Sequence, residues 1–303
     1  MTMPFSSAPR GLVTPIEPPS ARLARASIAL PPSARETSYS IAFGRIDVAV
    51  ASSCGSLHHR NEDAHSPAGH PALLFVVADG VGGGAMAETA SRELVAHLHG
   101  ALDGARPDAT AVRRAMLGAD RAIASRIAQV TASPGAATVV MCTPINVLAS
   151  KWLIAWVGDC RAYRLSSRGE MRFELLTRDD TFRQLDETPP DGGSADDPAR
   201  MVGNGATTGA NVAVRGLGSG ELLALCSDGL HKHVTPSEWR RVLTQPVPLA
   251  RRCDDLIALA SANGSTDDAT VLLVQRTGFA SARPHWLPPY PRDGDGNGSR
   301  SSQ

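Results

Sequence analysis

"LLFVVADGVGGGAMAET", residues Leu73 to Thr89, runs six apolar residues into Asp79-Gly80. Four of the five residues from Gly80 to Gly84 are glycine, and Met86, Ala90, Leu94 and Leu98 then recur every four, as on one face of a helix. A buried strand thus hands over a carboxylate where the chain leaves the core. Asp-Gly is also the commonest hairpin-turn dipeptide, so one copy carries little weight.

The pattern recurs. "LLALCSDGL" places Asp228-Gly229 after another apolar run, and "WLIAWVGDCRAY" places Asp159 after a third. "STDDATVLLV" inverts it, with Asp267 and Asp268 just ahead of an apolar strand, and "RNEDAH" brings Glu62 and Asp63 before the first buried one. Carboxylates gathered at neighbouring strand ends repel and raise each other's pKa. A hard divalent cation relieves that, and oxygen-only donors select Mg²⁺ or Mn²⁺. His and Cys lack zinc-ligand spacing. The glycine loop admits a phosphate-cradle reading, but no lysine follows as in a Walker A loop, and the spacing is not G-x-G-x-x-G.

Outward from these motifs, further strands read as "SIAFGRIDVAVAS", "ATVVMC", "KWLIAWVG", "RAYRLS", "MRFELL", "ELLALCS" and "ATVLLVQ". Val112, Met116, Ala119, Ile123 and Ile127 mark a second helix after Pro107. "TPSEWRRVL" begins another with Thr235 as N-cap, and Leu249, Cys253, Leu256 and Ala260 mark a last one ending at Asn263-Gly264. Thr188 to Gly220 reads as one long loop. Strands follow strands and helices come in pairs, which predicts an α+β fold with antiparallel sheets.

The 303 residues carry no formal net charge and are 42% hydrophobic. That is enough to fill a core, and it offers no electrostatic case for nucleic acid or membrane partners. Five scattered cysteines fit a reduced compartment. No apolar run approaches the ~20 residues of a membrane span and no signal-peptide order opens the chain, so a cytoplasmic location is expected. Residues 1–38, rich in Pro, Ser, Ala and Arg, and the tail 278–303 show no hydrophobic period and are expected to be disordered, with Trp286 and Tyr290 in the second as a docking element or solvated tail. The globular domain is expected over 39–277.

Seven stretches, "RNEDA", "VADGVGGG", "GAATVV", "WVGDCRAYRL", "LTRDD", "LCSDGL" and "TDDATVLLV", together resemble, in order, the bacterial PPM or protein phosphatase 2C-type family of metal-dependent serine/threonine protein phosphatases. The resemblance implies two packed antiparallel β-sheets flanked by helix pairs, an αββα sandwich with a metal site at one edge. It implies two Mn²⁺ or Mg²⁺ ions and a third, weaker one. Asp79 matches the bridging ligand and Gly80 lends a carbonyl. Asp228 and Asp267 match ligands of the first ion, Asp63 with Glu62 the outer-shell acids, and Asp159 the third site. The implied activity is hydrolysis of phosphoserine and phosphothreonine on proteins, opposing a Ser/Thr kinase.

Four positions depart from the pattern, one of them Cys160, which follows Asp159 where serine is frequent and reads as a buried inert cysteine or an oxidisable one. His58 stands where many relatives carry a phosphate-gripping arginine, and a histidine grips phosphate only when charged. Arg60 is the nearby substitute. Lys232 stands where some relatives place another acid, so the third site is expected to be weak or absent, and Asp180 stands where histidine is frequent. His58 and Lys232 keep open a second reading, a pseudophosphatase acting as a metal-binding interaction module, and a hydrolase of small phosphorylated metabolites is a third.

Overall fold

A computed structural model describes residues 36–278 apart from 68, 83, 84, 105, 132–134, 167–170, 206 and 208. Residues 1–35 of the proposed 1–38 arm, Trp286, Tyr290 and the rest of the tail beyond 278, and Gly83-Gly84 lie outside the described residues, whereas Glu36 to Ser38 of that arm are the start of a strand.

The central strands are almost wholly apolar because both their faces are covered. In β5 (Ala136–Pro144), Val139 and Met141 face a helix pair, whereas Val140 and Cys142 face a second sheet. In β10 (Leu222–Cys226), Leu223 and Leu225 face the first sheet, whereas Leu222, Ala224 and Cys226 face the other helices. A strand exposed on one side would alternate; these cannot.

Two antiparallel sheets result. One runs β3 (Asp63–His65), β4 (Phe75–Val81), β5, β6 (Lys151–Val157), β9 (Asn211–Gly216). The other runs β1 (Glu36–Ile41), β2 (Gly44–Ser53), β11 (Ala269–Gly278), β10, β7 (Arg161–Ser166), β8 (Arg172–Leu175). Helices α1 (Ala85–Leu102) and α2 (Ala109–Val130) cover the first sheet. Two short helices, α3 (Phe182–Leu185) and α4 (Asp228–His231), lie in connections. Helices α5 (Pro236–Leu243) and α6 (Leu249–Ala262) cover the second sheet. This is the expected αββα sandwich. The predicted apolar faces are the buried ones in α2 and α6, and Thr235 caps α5 through a full capping box with Glu238.

Two expectations are corrected. "SIAFGRIDVAVAS" is not one strand: it crosses the β1–β2 hairpin, which turns at Ala42-Phe43 and pairs Ile41 with Gly44. The Thr188–Gly220 segment is not all loop, since β9 lies within it and pairs along β6.

Candidate functional site

The acids collect where strands end. Strand β4 is buried from Phe75 to Ala78 and becomes accessible from Asp79 onward. Asp63 on β3 is its direct cross-strand partner, so two carboxylates face each other where like charges are least welcome. Asp159 follows the end of β6, and Asp228 opens α4 just after β10. Ser227 before it donates to Asp63 Oδ2 at 2.7 Å, linking the ends of the two sheets. Asp63 and Asp159 are buried, and Asp267 is exposed at the edge, its Oδ1 accepting from the Asp268 N–H.

Neither Asp-Gly is a hairpin turn. Gly80 sits within β4, opposite Ala137 of β5. A Cβ there would fall 2.4 Å from the Ala87 carbonyl oxygen of α1. At Gly229 it would fall 2.1 Å from the Asp268 carbonyl oxygen. Glycine is required at both because other backbone comes this close.

The cluster is electrostatically strained in a way that fits a cation. Burial first, then the charges of Asp228 and Asp63, pushes the Asp79 carboxyl well above the ordinary carboxylate range. Burial raises Asp63 to about 8 and Asp159 to about 7, with Asp228 adding to both. Asp228 is also pushed up by burial, but Lys232 and a hydrogen bond from Asp79 outweigh this and hold it low. Asp63 Oδ1, Asp159 Oδ2 and Asp228 Oδ1 are buried without a hydrogen-bond partner. Buried oxygens in that state call for a proton or a metal ion. The donor set, all oxygen, fits a hard divalent ion.

A pH prediction follows from Asp63. Its carboxyl rises from an ordinary 3.8 to about 8 on folding, so the metal-free fold binds the proton more tightly than the unfolded chain. The cost of charging it is absent below the ordinary value and grows as pH rises towards 8. In chelator, the gap in Tm between Asp63→Asn and the parent should therefore widen from pH 5 to pH 8 in favour of the variant. A gap independent of pH would show that Asp63 is not strained by its charge.

The connection from Cys54 to Glu62 is tied down by a residue given no role above. Asp268, buried beside Asp267, accepts from the Gly55 N–H at 2.7 Å, the Glu62 N–H at 2.7 Å and His58 Nδ1 at 3.0 Å. His58 Nδ1 also stands 3.8 Å from Asp267 Oδ1. The Asp268 hydrogen bond raises the His58 pKa against a smaller loss from burial. His58 is therefore a better cation than an isolated histidine, which titrates near ~6.5. Arg60 turns to Glu88 on α1 at 3.3 Å, with its side chain 70% exposed.

Asp180 has a plain structural use. It is buried, accepts from the Gly158 N–H at 3.0 Å and from both approaches of Asn211 Nδ2 at 2.9 Å, and its own N–H donates to the Gly158 carbonyl at 2.9 Å. It fixes the backbone turn that presents Asp159 and joins it to β9. Cys160 is fully buried, its Sγ 3.2 Å from Thr138 Oγ1.

No protein-family model matches the chain. The serine/threonine protein phosphatase PstP of Mycobacterium tuberculosis is 32% identical over 237 residues, covering 74% of this chain and 44% of that protein. Protein phosphatase PhpP of Streptococcus pneumoniae is 41% identical over 58 residues, 19% of this chain and 24% of that protein. The chain thus spans less than half the length of the curated relatives it matches. Among solved structures, the M. tuberculosis phosphatase PstP/Ppp superposes with a TM-score of 0.66 at 25% identity, covering 77% of this chain and 99% of that one. PppA, a regulatory component of the type VI secretion system in Pseudomonas aeruginosa, superposes with a TM-score of 0.65 at 26% identity, covering 79% and 100%. The PstP catalytic domain in complex with two manganese ions shares the fold, with a TM-score of 0.64 at 24% identity and coverage of 77% and 98%. In sequence and in fold the chain is similar to these bacterial serine/threonine protein phosphatases.

Proposed function

We propose that this chain hydrolyses phosphoserine and phosphothreonine on proteins with the help of two Mn²⁺ or Mg²⁺ ions, in opposition to a Ser/Thr kinase. The observation that carries the reading is the acid cluster, with its three buried carboxylate oxygens lacking hydrogen-bond partners. Asp79 would bridge the ions, with Asp228, Asp267 and the Gly80 carbonyl completing the inner ligands and Asp63 the outer shell. When bound, the ions neutralise phosphoryl oxygens and activate water. The protein's own part is positioning, which dominates phosphoryl transfer. His58, held through Nδ1 by Asp268, keeps Nε2 as the donor for a phosphate oxygen, and Arg60 adds a second positive charge along the same connection.

A phosphoprotein substrate suits the cleft of about 300 Å³ beside the acids, lined by Asp159, Arg161, Asp179, Arg183 and Lys232 among others. Its paired charges favour a polar peptide over an apolar small molecule. A cytoplasmic site of action is part of the proposal, and no described helix is long and apolar enough to cross a membrane.

The test is release of phosphate from phosphoserine and phosphothreonine peptides by the purified chain. Activity should require added Mn²⁺ or Mg²⁺ and vanish in EDTA. Full activity in excess chelator would defeat the metal-dependent reading. Preference for free phosphate monoesters over phosphopeptides would move the substrate class to small metabolites.

A further inference from the structure

Lys232 closes the short helix that begins at Asp228, its N–H donating to the Asp228 carbonyl at 3.0 Å. Its Nζ donates to Asp228 Oδ2 at 2.6 Å and stands 3.8 Å from Asp159 Oδ2. The ammonium therefore sits between a carboxylate at the end of β10 and another after β6. The two segments are also joined by a side-chain-to-backbone hydrogen bond. His231, next to Lys232, donates from Nε2 to the Asp159 carbonyl at 3.0 Å, so adjacent residues of one turn fix Asp159 from two directions.

This pair has unmet demand for positive charge. Asp159 is 3% exposed, and its Oδ2 and the Asp228 Oδ1 are buried without hydrogen-bond partners. Lys232 forms an ion pair with both. Its side chain remains about half exposed, so it meets the acids from the solvent side, the direction from which an ion would arrive.

We propose that Lys232 is a tethered cation that serves the Asp159–Asp228 pair in place of a further divalent ion. This rests on the reading of the acid cluster as a two-ion site. A divalent ion seated between the same two carboxylates would have to displace the ammonium from Asp228 or lie beside it, and like charges at that range repel strongly. One covalently attached charge then does locally, at any metal concentration, what a loosely held ion does only when the metal is abundant. The cluster should therefore fill with two ions and stop.

The experiment counts ions and needs no turnover. Mn²⁺ is titrated into the full chain up to millimolar concentrations, with free Mn²⁺ read from its electron paramagnetic resonance signal. The parent and Lys232→Arg should both saturate at two ions. Lys232→Asp removes the cation and adds an oxygen ligand, and it should take up a third ion at least about tenfold more tightly than the parent. Lys232→Met, uncharged and of similar length, should gain a weaker third site, and it carries the test if Lys232→Asp does not fold. Two ions in the parent with no gain in the folded variants overturns the proposal and leaves the two-ion reading standing. A parent that takes up a third ion as tightly as Lys232→Asp also overturns it. A parent that binds no Mn²⁺ overturns the two-ion reading and the proposal with it.

Discussion

Asp79→Asn is expected to lower kcat/KM on a phosphopeptide by about a thousandfold or more, the scale of losing metal-based charge stabilisation, while the metal-free protein stays as stable as the parent or becomes more so. The two halves come from the same geometry. Asp79 lies directly across from Asp63 and shares a hydrogen bond with Asp228, and burial and these neighbours make its charge costly. An amide keeps the shape and hydrogen-bonding capacity and removes the charge. The fold loses only a repulsion, and on the proposed reading a divalent ion would lose its bridging carboxylate. Kinetics with saturating Mn²⁺ would be paired with melting curves in EDTA. Near-normal kcat would show that the chemistry is elsewhere. A fall in Tm of many degrees in chelator would show that Asp79 is a structural residue whose charge the fold needs.

Much of this site is legible in the sequence because it is built at strand ends. An apolar run that stops on Asp is visible in a string of letters, and Asp63, Asp79, Asp159 and Asp228 do gather where β3, β4, β6 and β10 end or connect. Helix faces are equally visible, since a 3.6-residue period leaves Cys253, Leu256 and Ala260 on one side. What the letters hide is non-local. Strand β9 is short, lies among glycines and has a half-exposed face, so it has neither an apolar run nor clean alternation; it exists because β6 offers it an edge. The β1–β2 hairpin is hidden for the opposite reason, its apolar pattern running through Ala42-Phe43 without a polar break. The reason for the glycines after Asp79 and Asp228 is hidden too, because the backbone each one meets belongs to a distant segment. Asp268 is the plainest omission. "TDD" presents two acids side by side, and nothing in their order says that the second turns inward to hold a connection some two hundred residues earlier.

That inward turn makes Asp268→Ala the second large effect. The carboxylate is 3% exposed and accepts two backbone N–H groups at 2.7 Å and His58 Nδ1 at 3.0 Å. Truncation leaves the Gly55 and Glu62 N–H groups without this acceptor and His58 without its hydrogen-bonded carboxylate. A buried donor stripped of its partner costs about 1–3 kcal/mol, more where the lost partner was charged, so a loss of about 3 kcal/mol is expected. For a domain of this size that corresponds to a fall in Tm of about 6–12 °C. Activity should fall further than stability alone explains, because the connection from Cys54 to Glu62 carries His58, Arg60 and the approach to Asp63. Asp268→Asn keeps nearly the same volume and one acceptor oxygen, enough for one of the two backbone N–H groups, and it should restore part of the stability. It should not restore the phosphate grip at high pH, since an amide no longer holds a proton on His58. KM would then rise with pH more steeply in Asp268→Asn than in the parent. Asp268→Ala with unchanged Tm and unchanged KM would mean that Gly55, His58 and Glu62 are held by other means, and that the connection does not depend on this carboxylate.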